Sequence, residues 1–172
     1  KYGKKYLKMS DGPHGLKVKG IVYPNMCLVS SSWDKDALFA LGRFIANDCI
    51  SEGVDVLLGP SVNIKRTPLC GRNFEYISED PFLAGTLGAA FINGIESEGV
   101  FSCVKHFCCY NQEKNRFTQK VYVDESTLMN LYIRVFYILL QKSSPSFLMT
   151  SYNSVNGELV SQNSYLLKDV LK

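Results

Sequence analysis

Residues 54–60 read VDVLLGP and residues 79–107 read EDPFLAGTLGAAFINGIESEGVFSCVKHF, and the succession of patterns in these stretches decides the fold. The first is an apolar run broken only by Asp55 and closed by Gly59-Pro60, which predicts a strand over 54–58 with both faces buried. In the second, Asp80 suits a helix cap and Pro81 its first turn, so a helix is expected from there to about Glu98, with Gly99 as its stop. Residues 100–107 form another short apolar run and read as a strand. Strand, helix and strand in this order mark a parallel βαβ unit.

The alternation extends both ways. Upstream, residues 26–32 read as a strand and 34–52 as a helix. In that helix Ala37, Leu38, Leu41, Phe44, Ile45 and Cys49 recur at helical spacing, with Asp34 or Asp36 at the start and Gly53 at the stop. A further strand over 6–10 precedes the loop at Asp11-Gly12-Pro13. Downstream, 124–142 reads as a helix, 146–152 as a strand, and a last helix starts at Ser164. A doubly wound sheet and a (β/α)8 barrel both satisfy this order. No Gly-x-Gly-x-x-Gly or phosphate-loop motif follows a strand, which weakens a nucleotide-binding sheet. The long polar loops follow strand C-termini, where a barrel carries its active site. The expected fold is α/β, a TIM-like (β/α)8 barrel that is incomplete. About four to five βα units are present in 172 residues, where a full barrel takes roughly 250.

With 46% hydrophobic and 20% charged residues the chain has enough apolar surface for a core, which excludes a disordered tail. No window reaches the roughly 18 uninterrupted apolar residues of a membrane span, so no membrane partner is expected, and no signal-peptide pattern is seen. The chain lacks an initial Met and stops at Lys172 within a helical pattern, and is read as part of something larger. Its net charge of +3 is concentrated at the start, where Lys1, Lys4, Lys5, Lys8, Lys17 and Lys19 face only Asp11. A nucleic-acid footprint is a basic stripe interleaved with aromatics, so no nucleic-acid partner is expected. Cys103, His106, Cys108 and Cys109 look like a metal cluster, but on a strand Cys103 and Cys109 face opposite to His106 and Cys108, and no Cys-x-x-Cys spacing exists. The six cysteines, Cys27, Cys49, Cys70, Cys103, Cys108 and Cys109, are expected to be buried free thiols, with no metal and no cofactor. There is no Asn-x-Ser/Thr sequon, and a reducing, cytoplasmic compartment fits the thiols better than a secretory one.

The polar residues at strand C-termini are Asp11 and His14; Lys65, Arg66, Arg72 and Glu75; Lys105, His106, Asn111, Glu113 and Arg116; and Tyr152, Asn153 and Asn156. Carboxylates, cations, imidazole and phenol together suit a polyhydroxylated ligand, because each hydroxyl both donates and accepts. A phosphate site favours cations without facing carboxylates. Taken singly, each residue has a structural reading too. Asp11 starts a turn, Arg72 makes a loop ion pair, His106 is a satisfied core histidine, Glu79-Asp80-Pro81 caps a helix, and Glu75 and Glu113 hold loops.

Five motifs stand in order: Asp11-Gly12-Pro13-His14-Gly15; Leu58-Gly59-Pro60 with Asn63; Gly71-Arg72-Asn73-Phe74-Glu75-Tyr76-Ile77-Ser78-Glu79-Asp80-Pro81; Lys105-His106-Phe107; and Met149-Thr150-Ser151-Tyr152-Asn153 with Val155-Asn156-Gly157. Together they resemble the N-terminal barrel domain of glycoside hydrolase family 3, β-glucosidase type, from Leu7 to Lys172. The whole chain, 1–172, then reads as a partial domain of that kind. By position, the resemblance implies that Asp11 grips the outer hydroxyls of glucose in the −1 subsite. It implies that Arg72, Lys105 and His106 bind the ring from the other walls, that Met149 lines the subsite, and that Tyr152 lies near the catalytic carboxylate. Lys17 stands where relatives often carry an arginine, keeping the charge without the planar fork.

Adjacent strand residues point to opposite faces, yet Lys105 and His106 should both reach the sugar. A bulge, a strand end or a cis non-proline bond would reconcile them, so an irregularity is expected there. Retaining glycosidases use two carboxyl groups. In the resembled family the nucleophile is the aspartate of a later Ser-Asp-Trp, whereas the single Trp here is Trp33 in Ser32-Trp33-Asp34. The acid/base glutamate comes from a further domain. The resemblance thus implies a fragment of a retaining β-glucosidase with much of the −1 subsite and neither catalytic carboxylate, inactive alone. Its partners would be a β-glucoside or short β-glucan and the remainder of the barrel and C-terminal domains. The alternative is a non-catalytic, sugar-binding or decayed remnant. Cys108-Cys109 after Lys-His-Phe argues against the N-acetylglucosaminidase branch, and Asp11 favours a hexose over a pentose.

Overall fold

The computed structural model describes residues 6–17 and 21–172. In chain order the main elements are β1 (Met9–Asp11), α1 (Met26–Ser30), α2 (Lys35–Ser51), β2 (Val56–Leu58), α3 (Pro81–Ser97), β3 (Phe101–Phe107) and β4 (Lys120–Val121). They continue with α4 (Glu125–Thr127), α5 (Arg134–Lys142), β5 (Phe147–Thr150), β6 (Ser154–Val155) and β7 (Glu158–Leu159). π-type turns carry the helical path over Leu128–Ile133 and again over Tyr165–Val170.

The sheet topology separates the two architectures the alternation allowed. β1, β2, β3 and β5 lie side by side in that order, all parallel. A doubly wound sheet reverses its strand order where the chain crosses to the other face. Here the order never reverses, and right-handed crossovers with an unchanging direction place every helix on one side. Accordingly α2 packs on α3 and α3 on α5. This is an arc of a singly wound α/β barrel.

Local signals set most boundaries. The Asp34 carboxylate accepts from the backbone N–H of Asp36 and Ala37, and the Asp80 carboxylate from that of Leu83, so both helices begin where expected. β1 is displaced from the expected 6–10 toward Asp11, which pairs with Leu58 as the last residue of the strand. α2 and α3 meet backbone to backbone. A Cβ on Gly94 would lie 2.1 Å from the Phe39 carbonyl oxygen, and one on Gly42 would lie 2.4 Å from that of Phe91. Between helices and sheet, Leu38, Ile45, Leu57, Phe91, Ile92, Phe107 and Leu139 form a buried core.

Two expectations are corrected. Residues 26–32 are not a strand: Asn25 caps α1 by accepting from the Leu28 N–H, and Met26 and Ser30, four residues apart, are its buried positions. That is one helical face, where a strand would bury alternate residues. Among the free thiols, Cys27 is exposed and the other five are buried. The small sheet in which β6 pairs with β4 and β7 had no counterpart in the sequence reading. Lys1, Lys4, Lys5 and Lys19 of the basic start lie outside the described residues. Among the described residues no helix is long and apolar enough to cross a membrane.

Candidate active site

Parallel strands run in one direction, so their C-termini deliver side chains to one edge of the sheet. A cavity of about 680 Å³ opens there, within the range of small-ligand pockets. Asp11 reaches it from β1, Lys105 and His106 from β3, and Met149 from β5. Lys17 comes from the loop after β1, Arg72 from the loop after β2, and Tyr152 from just past β5. All seven residues singled out in the sequence line this one cavity, with His14, Glu75, Glu113 and Arg116 among the others.

The expected irregularity in β3 is present. The Lys105–His106 peptide bond is cis, and the register against β5 shifts between Lys105 and Phe107. Both side chains face the cavity. Lys105 is almost fully buried (4% exposed), and its Nζ donates at 3.2 Å to Oδ1 of Asp11, which is 69% exposed at the rim. His106 is packed against the Tyr110 ring, centroids 5.0 Å apart. Burial, reinforced by the cations Arg72, Lys105 and Arg116, pushes its pKa down to about 2, so its imidazole is neutral.

From the loop after β2 Arg72 donates from Nε to Glu75, whose other oxygen accepts from the Ser61 hydroxyl at 2.5 Å. Burial works against the Arg72 charge, but the Glu75 carboxylate outweighs it and raises the pKa. The guanidinium also lies over the Tyr110 ring at 5.6 Å. Glu113 binds Arg116 at 2.8 Å and accepts from the Tyr110 hydroxyl at 2.5 Å. Burial, then this carboxylate, pushes the Tyr110 phenol up to about 12. Arg116 in turn lies 4.8 Å over Phe117 and 5.3 Å over Tyr152, whose ring meets those of Tyr110 and Phe117 edge-on.

Three carboxylates thus face three cations around the cavity: Asp11 with Lys105, Glu75 with Arg72, and Glu113 with Arg116. Each pair offers donors and acceptors while nearly cancelling its own charge. Glu75 and Glu113 hold their loops, as their structural reading expects, and also line the cavity. Asn63, which follows the Leu58-Gly59-Pro60 motif, makes three hydrogen bonds from its side chain to His106. Among the described residues no group of three His, Cys, Asp or Glu is placed to hold a metal ion.

Known proteins share this arrangement of sequence and fold. Residues 8–172 match the glycosyl hydrolase family 3 N terminal domain. The chain is 43% identical to thermostable beta-glucosidase B of Acetivibrio thermocellus over 96% of its own length and 24% of that protein. It is 39% identical to an exo-alpha-(1->6)-L-arabinopyranosidase of Bifidobacterium breve, over 95% of this chain and 24% of that one. Beta-glucosidase 3B from Thermotoga neapolitana, solved in complex with glucose, superposes with a TM-score of 0.89 at 42% identity, covering 95% of this chain and 24% of the other. The chain spans about a quarter of the length of these relatives. A match over nearly its whole length places the chain in glycosyl hydrolase family 3, as a partial α/β barrel of the family's N-terminal domain.

Proposed function

We propose that this chain builds most of the −1 subsite of a retaining β-glucosidase that removes terminal non-reducing β-D-glucosyl residues. The carrying observation is the convergence of Asp11, Arg72, Lys105 and His106 on one cavity from separate strand ends. In this reading Asp11 takes the outer hydroxyls, and Arg72, Lys105 and His106 take the ring hydroxyls from the other walls. Met149 supplies an apolar surface, Lys17 an additional cation, and Tyr152 would lie near the catalytic carboxylate. The three charge-balanced pairs suit a neutral polyol, which needs strong directional hydrogen bonds without net charge.

Hydrolysis with retention takes two carboxyl groups roughly 5–5.5 Å apart, one as nucleophile and one as acid/base. Each carboxylate in this cavity is already engaged by a cation, which favours binding roles for all three. The resemblance to the family assigns the nucleophilic aspartate and the acid/base glutamate to segments outside residues 1–172, and in this reading those residues alone bind without turning over. The test is calorimetric titration of the 172-residue chain with glucose, paired with an aryl β-glucoside assay on the chain and on a protein extending past Lys172. Glucose binding without turnover by the chain, with turnover by the longer protein, is expected. Turnover by the chain alone would overturn the assignment of the carboxylates, and an inactive longer protein would leave a non-catalytic sugar-binding remnant.

The arabinopyranosidase relative supports a second reading, in which the glycone is a pentose lacking the hydroxymethyl group. Asp11 favours the hexose in this reading, because an aspartate before the Gly-Pro turn would serve the outer hydroxymethyl group that a pentose lacks.

A further inference from the structure

His106 is held by one side chain. Asn63, 3% exposed, accepts at Oδ1 from the His106 backbone N–H at 2.9 Å and donates from Nδ2 to the His106 carbonyl oxygen at 2.8 Å. These two bonds leave the amide no choice of orientation. A backbone N–H only donates and a carbonyl only accepts, so the flipped amide would set hydrogen against hydrogen and oxygen against oxygen. The same Oδ1 lies 3.0 Å from the ring nitrogen Nδ1. An amide oxygen carries no hydrogen, so the proton between them belongs to Nδ1. A neutral imidazole has only one ring proton, and Nε2 then keeps its lone pair.

We propose that Asn63 is a positioning residue that fixes His106 in the Nδ1–H tautomer and so makes Nε2 the acceptor for one ligand hydroxyl. The neighbouring groups on those walls, the Arg72 guanidinium and the Lys105 ammonium, only donate. A ring hydroxyl placed at Nε2 must be a donor, so the site distinguishes a hydroxyl from a group that only accepts. A hydroxyl at this place gains a bond that its fluoro and O-methyl analogues lose, which adds a specificity element carried by a residue that never touches the sugar. The ligand named here rests on the proposed sugar reading, whereas the tautomer does not.

The experiment is ¹⁵N NMR of the ring nitrogens in histidine-labelled protein, with and without glucose. Only two histidines occur, so His14→Gln assigns the spectrum. A protonated Nδ1 beside an unprotonated Nε2 is expected for His106 in the free protein, and addition of glucose should move the Nε2 signal and leave Nδ1 in place. Asn63→Ser should replace this pattern by an average of both tautomers. In Asn63→Asp the carboxylate still accepts from Nδ1–H, and its charge opposes the Arg72, Lys105 and Arg116 cations around the ring. That variant should therefore show a second ring proton, on Nε2, at higher pH than the parent. A proton on Nε2 in the parent, or an unchanged tautomer in Asn63→Ser, would overturn the proposal. Because the parent spectrum is decisive, a variant that fails to fold does not rescue it. An intact tautomer with no response to glucose refutes the acceptor role, and if calorimetry also shows no glucose binding, it is the sugar reading that fails.

Discussion

Removing Arg72 tests a buried cation of the cavity and the carboxylate it pairs with. In a protein that contains the catalytic carboxylates, Arg72→Ala should lower kcat/KM by roughly 10²-fold or more, about 3 kcal/mol, because charged hydrogen bonds to the ring are lost. Glu75 is buried and would be left without its cation, so the same variant should also melt earlier. Arg72→Lys separates the two effects: it keeps a charge for Glu75 but not the planar fork, so activity should fall with a smaller loss of Tm. Unchanged aryl β-glucoside hydrolysis in Arg72→Ala would remove Arg72 from the subsite. Lys17→Arg should change affinity only modestly, read as a shift in KM, and no shift would mean that the side chain points away from the ligand. His106 makes a prediction about pH. Its pKa falls from the ordinary 6.5 to about 2 on folding, so between those values the unfolded chain binds the extra proton and the folded one does not. Its contribution to stability is therefore complete above about 6.5 and declines as pH falls, by up to about 1.4 kcal/mol per pH unit. Melting curves from pH 7 to 4 should fall more steeply for the parent than for His106→Gln. Parallel curves would mean that the imidazole is solvated.

Among the elements, α2 and α3 are joined at their closest point by two glycines rather than by interlocking side chains. Gly94→Ala puts a methyl group where the Phe39 carbonyl oxygen sits, so the helices must separate. A loss of about 1–3 kcal/mol is expected, read as a lower denaturation midpoint. Gly53→Ala, at a helix end open to solvent, is the control for a strained φ without a clash. What could be read from sequence at this scale followed the range of the cause. Asp34, Asp80 and Asp124 cap helices through bonds to residues two or three positions away, and such signals are visible in any short window. The apolar run at 26–32 was too short for its period to tell strand from helix, and the caps and core decided it. β4, β6 and β7, two residues each, are too short to leave a period at all. The motif residues of the cavity were recognisable as a set, but the bonds between Asn63 and His106 span 43 residues, and no pattern along the chain announces them.

At the scale of the whole molecule, an arc of a barrel differs from a closed one in having ends. Among the described residues β1 and β5 border the four-stranded sheet, each with one strand partner in it. Unpaired strand edges recruit other strands. The 172-residue chain should therefore self-associate when produced alone, with sedimentation velocity showing species heavier than 19.3 kDa. A sharp monomer with a cooperative melt would instead make these residues a self-sufficient module. The glycone is also a property of the assembled site: p-nitrophenyl β-D-glucoside should be cleaved faster than p-nitrophenyl α-L-arabinopyranoside, and the reverse order would favour the pentose reading. The pairing of Asp11 with Lys105, Glu75 with Arg72 and Glu113 with Arg116 also bears on how a ligand arrives. Opposite charges a few ångströms apart form short dipoles whose potentials die away well inside the roughly 10 Å over which salt screens at 0.1 M. Lys17 leaves one cation over, but a neutral sugar carries no charge for it to draw, so the mouth grips only on contact. Capture of a sugar by it is a matter of diffusion and fit, and its association rate should scarcely change between dilute buffer and brine.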